Sequence, residues 1–153
     1  GFFLHDIGKC STPVNVLNKP GPLDEDEWKI MRRHPFEGYR LLEQLNALTK
    51  ESRVIVMEHH ERHDGKGYPR RLKGDQIHIY SKICCIADVF DALTSVRPYK
   101  EPNTPFQALQ IMKEQMRSEF DPIFFERFVL LFGQGRYSQA YQKPSHVIKK
   151  VAP

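Results

Sequence analysis

The chain has 153 residues, of which 40% are hydrophobic and 27% charged, with a net charge of +4 and a pI near 9.0. That suits one soluble domain long enough to bury a core, and no apolar run is long enough to cross a bilayer. The basic residues are dispersed, with modest clusters at Arg70–Arg71, Arg97–Lys100 and Lys149–Lys150, which argues against a nucleic-acid duplex reader.

The predicted elements are nearly all helical. Phe2, Phe3, Leu4 and Ile7 form the last turns of an apolar helix. Cys10 to Leu23 carries Pro13, Pro20, Gly21 and Pro22, too many breakers for a helix interior. Asp24 and Glu27 have capping-box spacing, opening a helix that runs to about Arg33. His34-Pro35 interrupts, and the next helix spans roughly Phe36 to Asn46. A third runs from about Lys50 to His60. His63 to Asp75, with three Gly and one Pro among many charges, reads as an exposed loop. Tyr80 to Ser95 is a strong helix, with Ile83, Ile86, Ala87, Phe90 and Leu93 on one face. Thr104-Pro105 and Asp121-Pro122 start helices at about 105–117 and 122–132. The periodicity fades after Gly133, so residues 1–134 read as the domain and 135–153 as a polar basic tail.

Three cysteines, Cys10, Cys84 and Cys85, form no CxxC pair, which fits a reducing, cytoplasmic setting. Cys84 and Cys85 lie in an apolar run and read as small buried hydrophobes. There is no signal peptide, and the chain starts without Met immediately before its first candidate ligand. It reads as a fragment of a longer protein, with a regulatory domain expected upstream.

Three stretches carry imidazole or carboxylate, the ligand types of hard or borderline divalent cations: His5-Asp6-Ile7-Gly8-Lys9, His59-His60-Glu61 with Asp64-Gly65-Lys66-Gly67-Tyr68-Pro69, and Asp88 in Ala-Asp-Val-Phe-Asp. Asp6 can bridge two ions, and Lys9 can neutralise a phosphate oxygen as a point charge. Consecutive helical residues His59 and His60 point about 100° apart, so they suit one wide centre. Asp88 sits in an apolar helical register, where an uncompensated carboxylate costs several kcal/mol; Asp91 reads as a local hydrogen-bonding neighbour. With His34, the candidate set exceeds what one four-coordinate ion needs, and no thiolate is involved, so a structural zinc site is disfavoured. Two ions would suit phosphodiester cleavage by hydroxide generated from water.

These motifs, with Lys19-Pro20-Gly21, Glu27, Met31, and Ala87 to Ser95 leading to Arg97-Pro98-Tyr99-Lys100, resemble the HD-GYP family of bacterial cyclic di-GMP phosphodiesterases, a branch of the HD phosphohydrolases. The resemblance covers about Phe2 to Gly133. It implies an all-α helical bundle holding two or three iron or manganese ions on the residues matching His5, Asp6, His34, His59, His60 and Asp88. It further implies Lys9 at the scissile phosphate, and Tyr68, Arg97 and Lys100 on the dinucleotide. The Gly67-Tyr68-Pro69 loop is also expected to meet partner domains such as diguanylate cyclases. In the family a further histidine, and in trinuclear members a glutamate, comes from a helix upstream of the HD pair, before Gly1; the ligand set here is therefore expected to be incomplete and the fragment weak in metal binding or inactive. His63 stands where an aromatic is usual, and Cys10-Ser11-Thr12 is more polar than usual, which bears on specificity. The expected reaction is hydrolysis of cyclic di-GMP to pGpG and on to GMP. The alternatives are a non-catalytic cyclic dinucleotide receptor and an HD phosphohydrolase of other specificity, cyclic GMP-AMP included.

Overall fold

Helix starts follow the caps read from the sequence. In the computed structural model, which describes residues 1–96 and 101–133, Asp24 Oδ1 accepts from the Asp26 and Glu27 amides at 3.0 and 2.9 Å. Glu27 returns the bond to the Asp24 amide at 2.9 Å, closing a capping box. Thr104 and Gln107 close a second box ahead of Pro105, and Asp121 Oδ1 accepts from the Ile123 amide at 3.1 Å. The α-helices are α1 (Val14–Leu17), α2 (Glu25–Met31), α3 (His34–Gln44), α4 (Lys50–Glu58), α5 (Ile79–Thr94), α6 (Pro105–Gln115) and α7 (Pro122–Gly133). No strand occurs among the described residues, so the all-α expectation holds. Arg97, Lys100 and the expected tail lie outside them.

Four boundaries differ from the sequence expectation. Phe2–Leu4 and Ile7–Ser11 are 3-10 turns rather than the end of an α-helix, and Phe3 is fully exposed. The breaker-rich stretch holds the single helical turn α1, entered through Pro13, where a missing N–H costs nothing. Pro35 does not interrupt α3 but sits in its first turn, so the helix begins at His34. Finally, α4 ends at Glu58, so His59 is its cap and His60 lies beyond it.

The C-terminal helices bury one core: Cys85, Ile86 and Phe90 of α5, Ala108 and Met112 of α6, Phe120, and Phe125 of α7. Burial pushes the Cys85 thiol up to about 12, aided by the Asp88 carboxylate; with Cys84 it behaves as a buried hydrophobe. The other half packs α3 against α4 and against the Ile7–Ser11 turn. There the backbones of Gly8 and Gly38 touch: a Cβ on Gly8 would fall 1.9 Å from His34 O and 2.5 Å from Gly38 N. Only glycine permits this approach, and it sets the Asp6 strip against the start of α3. Among the described residues no helix is long and apolar enough to cross a membrane.

Candidate metal centre

Asp6 lies between two groups of imidazoles. Its Oδ1 is 3.2 Å from His34 Nε2 and 3.7 Å from His59 Nε2; its Oδ2 is 3.5 Å from His5 Nε2. One ligand atom each from Asp6, His34, His59 and His60 lies within 4.8 Å of all the others. Asp88 adjoins this group, 3.5 Å from His5 Nε2 and 4.0 Å from His60 Nδ1. The six residues predicted as ligands are thus brought together from four separate segments. Asp91 stays apart, accepting from Ser95 Oγ at 3.1 Å. Lys9 Nζ donates to Asp6 Oδ2 at 2.6 Å.

The protonation pattern of the rings fits a cation. Nδ1 of His5, His34 and His59 lies 2.6, 2.8 and 2.9 Å from the carbonyl oxygens of Phe2, Met31 and Val56. A carbonyl only accepts, so each Nδ1 carries the hydrogen and each neutral ring keeps a bare Nε2. Yet His34 Nε2 and His59 Nε2 stand 3.2 Å apart, and two bare lone pairs repel at that distance unless a proton or a metal ion lies between them. Burial lowers the His59 pKa, and it lowers His60 to about 3, with the neighbouring His59 and His34 adding to it; both disfavour the proton. Asp6 Oδ1, although near His34, is buried without hydrogen-bond geometry to any partner. Burial pushes the Asp6 carboxyl up, but the polar groups crowded around it, His34, His5, His59 and Lys9, outweigh burial and keep the group ionised. An ionised, unsatisfied oxygen facing bare imidazole nitrogens is a donor set for a divalent cation.

The loop after His60 is tied down over the site. Glu61, only 1% exposed, accepts from the Arg70 and Leu72 amides at 2.7 and 2.9 Å. The Tyr68 amide donates to His60 O at 3.1 Å. Gly67 is buried, with room for no Cβ against the backbone of residues 60–62. Lys66, Pro69, Arg70 and Arg71 are exposed, so the loop is open to solvent on its outer side only. The Tyr68 ring therefore lies over His60, centroids 4.6 Å apart and planes tilted 30°. Burial, and then the Asp6 carboxylate, raise the Tyr68 hydroxyl pKa, keeping it a neutral donor. Beyond the ring, the Arg32 guanidinium lies 5.7 Å from the Tyr68 centroid and 5.4 Å from that of Trp28. Neither Arg32 nor Glu61 has a role in the sequence expectation. The cation pair Arg32-Arg33 beside His34 was the one local signal for Arg32, and Glu61 had only its place next to the histidines.

Residues 2–123 match the model of the HD domain family. The chain belongs to the HD domain family. The HD-GYP character agrees with that match, because curated relatives are named cyclic di-GMP phosphodiesterases. One is the cyclic di-GMP phosphodiesterase response regulator RpfG of Xanthomonas campestris pv. campestris, 48% identical over 120 residues, covering 78% of this chain and 32% of that protein. Another is the 3'3'-cGAMP-specific phosphodiesterase 2 of Vibrio cholerae, 44% identical over 124 residues, covering 80% and 24%. Among solved structures, Bd1817, an HDG"Y"P protein from Bdellovibrio bacteriovorus, matches with a TM-score of 0.66 at 16% identity, covering 85% of this chain and 41% of that one; the helical fold is shared. The chain therefore spans about a quarter to a third of the length of these curated relatives. HD-domain phosphohydrolases bind divalent metal ions, and among the described residues the His/Asp cluster is a group that fits one.

Proposed function

We propose that this domain is a metal-dependent phosphodiesterase acting on a cyclic dinucleotide, cyclic di-GMP first, opening it to linear pGpG and carrying a second cleavage on to GMP. The observation that carries the reading is the ionised, hydrogen-bond-free Asp6 oxygen facing the bare Nε2 atoms of His34 and His59. Relatives at 48% and 44% identity are named for phosphodiesterase activity on cyclic di-GMP and on 3'3'-cGAMP.

In this reading His5, Asp6, His34, His59, His60 and Asp88 hold two or three divalent ions, iron or manganese. When bound, such ions supply hydroxide at neutral pH and Lewis-acid stabilisation of the phosphoryl oxygens. Asp6 serves both halves of the site, one carboxylate oxygen toward His34 and His59 and the other toward His5. Lys9, held by Asp6 Oδ2, neutralises a non-bridging oxygen of the scissile phosphate. Tyr68 offers its ring to a guanine and its neutral hydroxyl as a donor, and Arg97 and Lys100 complete the ligand contacts. The Gly67-Tyr68-Pro69 loop is the surface offered to a diguanylate cyclase domain, in the cytoplasm.

The test is turnover of cyclic di-GMP and cyclic GMP-AMP by the Mn- or Fe-loaded protein extended upstream to include the further expected histidine, with products separated by chromatography. Linear pGpG should appear, and Asp6→Asn should abolish it with the fold intact. A loaded, folded protein that leaves both substrates untouched would sink the hydrolytic reading. Binding without turnover that survives Asp6→Asn would make the domain a receptor.

A further inference from the structure

On the far side of Tyr68 from the metal-ligand cluster, α2 and the glycine loop enclose a cleft of about 580 Å³ lined by Lys29, Arg32, Arg33, Lys66, Tyr68 and Arg71, together with Gly65, Gly67 and Pro69. Its lining holds five cationic side chains and no carboxylate. Two are already matched: Lys29 pairs with Asp26 at 2.7 Å and Arg33 with Glu37 at 3.3 Å. Arg32, Lys66 and Arg71 have no carboxylate at ion-pair distance among the described residues. Like charges gathered around one concavity repel, and the site becomes favourable when an anion enters it. Arg32 is also held in place by its contacts with Trp28 and Tyr68. A guanidinium lying over ring faces keeps its N–H donors free to grip an oxyanion.

We propose that this cleft is a phosphate-binding site separate from the metal-ligand cluster, with Arg32, Lys66 and Arg71 supplying the charge. Phosphate is the fitting anion because it offers several oxygens to converging donors, where a carboxylate offers two. The site stands on the cleft itself; only the carrier of the phosphate rests on the hydrolytic reading. That carrier is either the dinucleotide, whose second phosphate would reach the cleft past Tyr68, or a separate nucleotide acting as effector.

Trp28 is the single tryptophan of the chain and touches Arg32, so its emission reports on the cleft. The chelator-treated protein is titrated with inorganic pyrophosphate and with cyclic di-GMP, exciting at the tryptophan band. A saturable change is expected, weakened at least about tenfold by the double variant Lys66→Gln/Arg71→Gln and retained in Asp6→Asn. No saturable change with either probe, or a loss in Asp6→Asn equal to that in the cleft variant, would overturn the proposal. Melting temperatures of both variants guard against unfolding, and calorimetric titration of Arg32→Gln should show the same weakening of pyrophosphate binding. Turnover then separates the carriers. A KM for cyclic di-GMP raised at constant kcat in the double variant assigns the cleft to the substrate; lost pyrophosphate binding with unchanged KM assigns it to an effector. A metal-loaded, upstream-extended protein that hydrolyses nothing refutes the hydrolytic reading, while the pyrophosphate titration still decides the cleft.

Discussion

Replacing Gly8 by alanine should injure the metal centre more than the fold. The new Cβ would lie 1.9 Å from His34 O, 2.5 Å from Gly38 N and 2.9 Å from Gly38 Cα, all backbone atoms that cannot rotate away. The Ile7–Ser11 turn and α3 must part by roughly an ångström to relieve it, and overpacking of this kind costs about 1–3 kcal/mol. For a chain of this size that lowers the melting temperature by roughly 2–4 °C per kcal/mol. The same shift separates Asp6 from His34, now 3.2 Å apart, whereas metal–ligand distances tolerate only about 0.2 Å. Metal affinity should fall at least as far as when a supporting contact is lost, about 10–100-fold. Gly38→Ala is the graded control: its Cβ meets Val56 Cγ1 at 2.9 Å and Gly8 N at 3.0 Å, a milder crowding partly against a side chain. The assay is metal content after dialysis against a graded chelator, alongside thermal melting of both variants. Wild-type metal retention and melting in Gly8→Ala, or a larger loss in Gly38→Ala, would refute the reasoning.

Glu61→Gln turns one of the two acceptors for the Arg70 and Leu72 amides into a donor, which should cost about 1–3 kcal/mol; unchanged hydrogen-exchange protection of those amides would contradict the clamp. Metal uptake should release protons. Hydrogen bonds with Asp6 and then Asp88, acting against burial, raise the His5 pKa to about 10, so the ring is protonated at neutral pH and must lose that proton to bind an ion. Affinity should therefore climb as pH rises toward that value, and titration heats that do not vary with buffer ionisation enthalpy would contradict it. Asp121 links α7 to α5 through Lys82 at 3.0 Å. Burial pushes its carboxyl up, but Lys82 and the Phe124 and Ile123 amides pull it lower overall. Its contribution is thus present above the ordinary carboxylate pKa and lost as pH falls through the lower folded value. Asp121→Asn should destabilise by about 1–3 kcal/mol at neutral pH and flatten the acid limb of the stability curve; a parallel acid limb would sink this.

The caps at Asp24, Thr104 and Asp121 were legible because each is closed by residues within three positions, so sequence and geometry nearly coincide. The candidate ligand set was legible through the motif spacing that resembles the HD-GYP family; residue chemistry alone singled out only Asp88, a carboxylate in an apolar helical register. What stayed hidden depends on long-range contacts. Gly8 and Gly38 are ordinary glycines until two backbones meet there. No breaker marks the end of α4 after Glu58; the turn into the clamped loop ends it, with Glu61 N bonded to Glu58 O at 2.8 Å. The expectation of an exposed loop missed Gly67, because turn chemistry predicts irregular backbone but not which side of it packs.

Helix termination is itself part of the candidate metal centre. The last carbonyls of a helix lack partners within it, and Phe2, Met31 and Val56 all lie in the final turn of a helical segment: the Phe2–Leu4 turn, α2 and α4. Each gives its oxygen to the Nδ1 of the histidine three residues on. At Met31 and Val56 the arrangement occupies a carbonyl left free by the helix end, and at all three histidines it fixes a ring with Nε2 toward the cluster. It also accounts for histidines placed at helix ends, where a ligand in mid-helix would find that carbonyl already bonded. His60 is the exception. Its Nδ1 faces Asp88 at 4.0 Å and no carbonyl, so its orientation depends on the Tyr68 ring laid over it by Glu61 and Gly67. Three of the candidate histidines are therefore oriented by secondary structure, and the fourth, His60, by the loop that carries Tyr68.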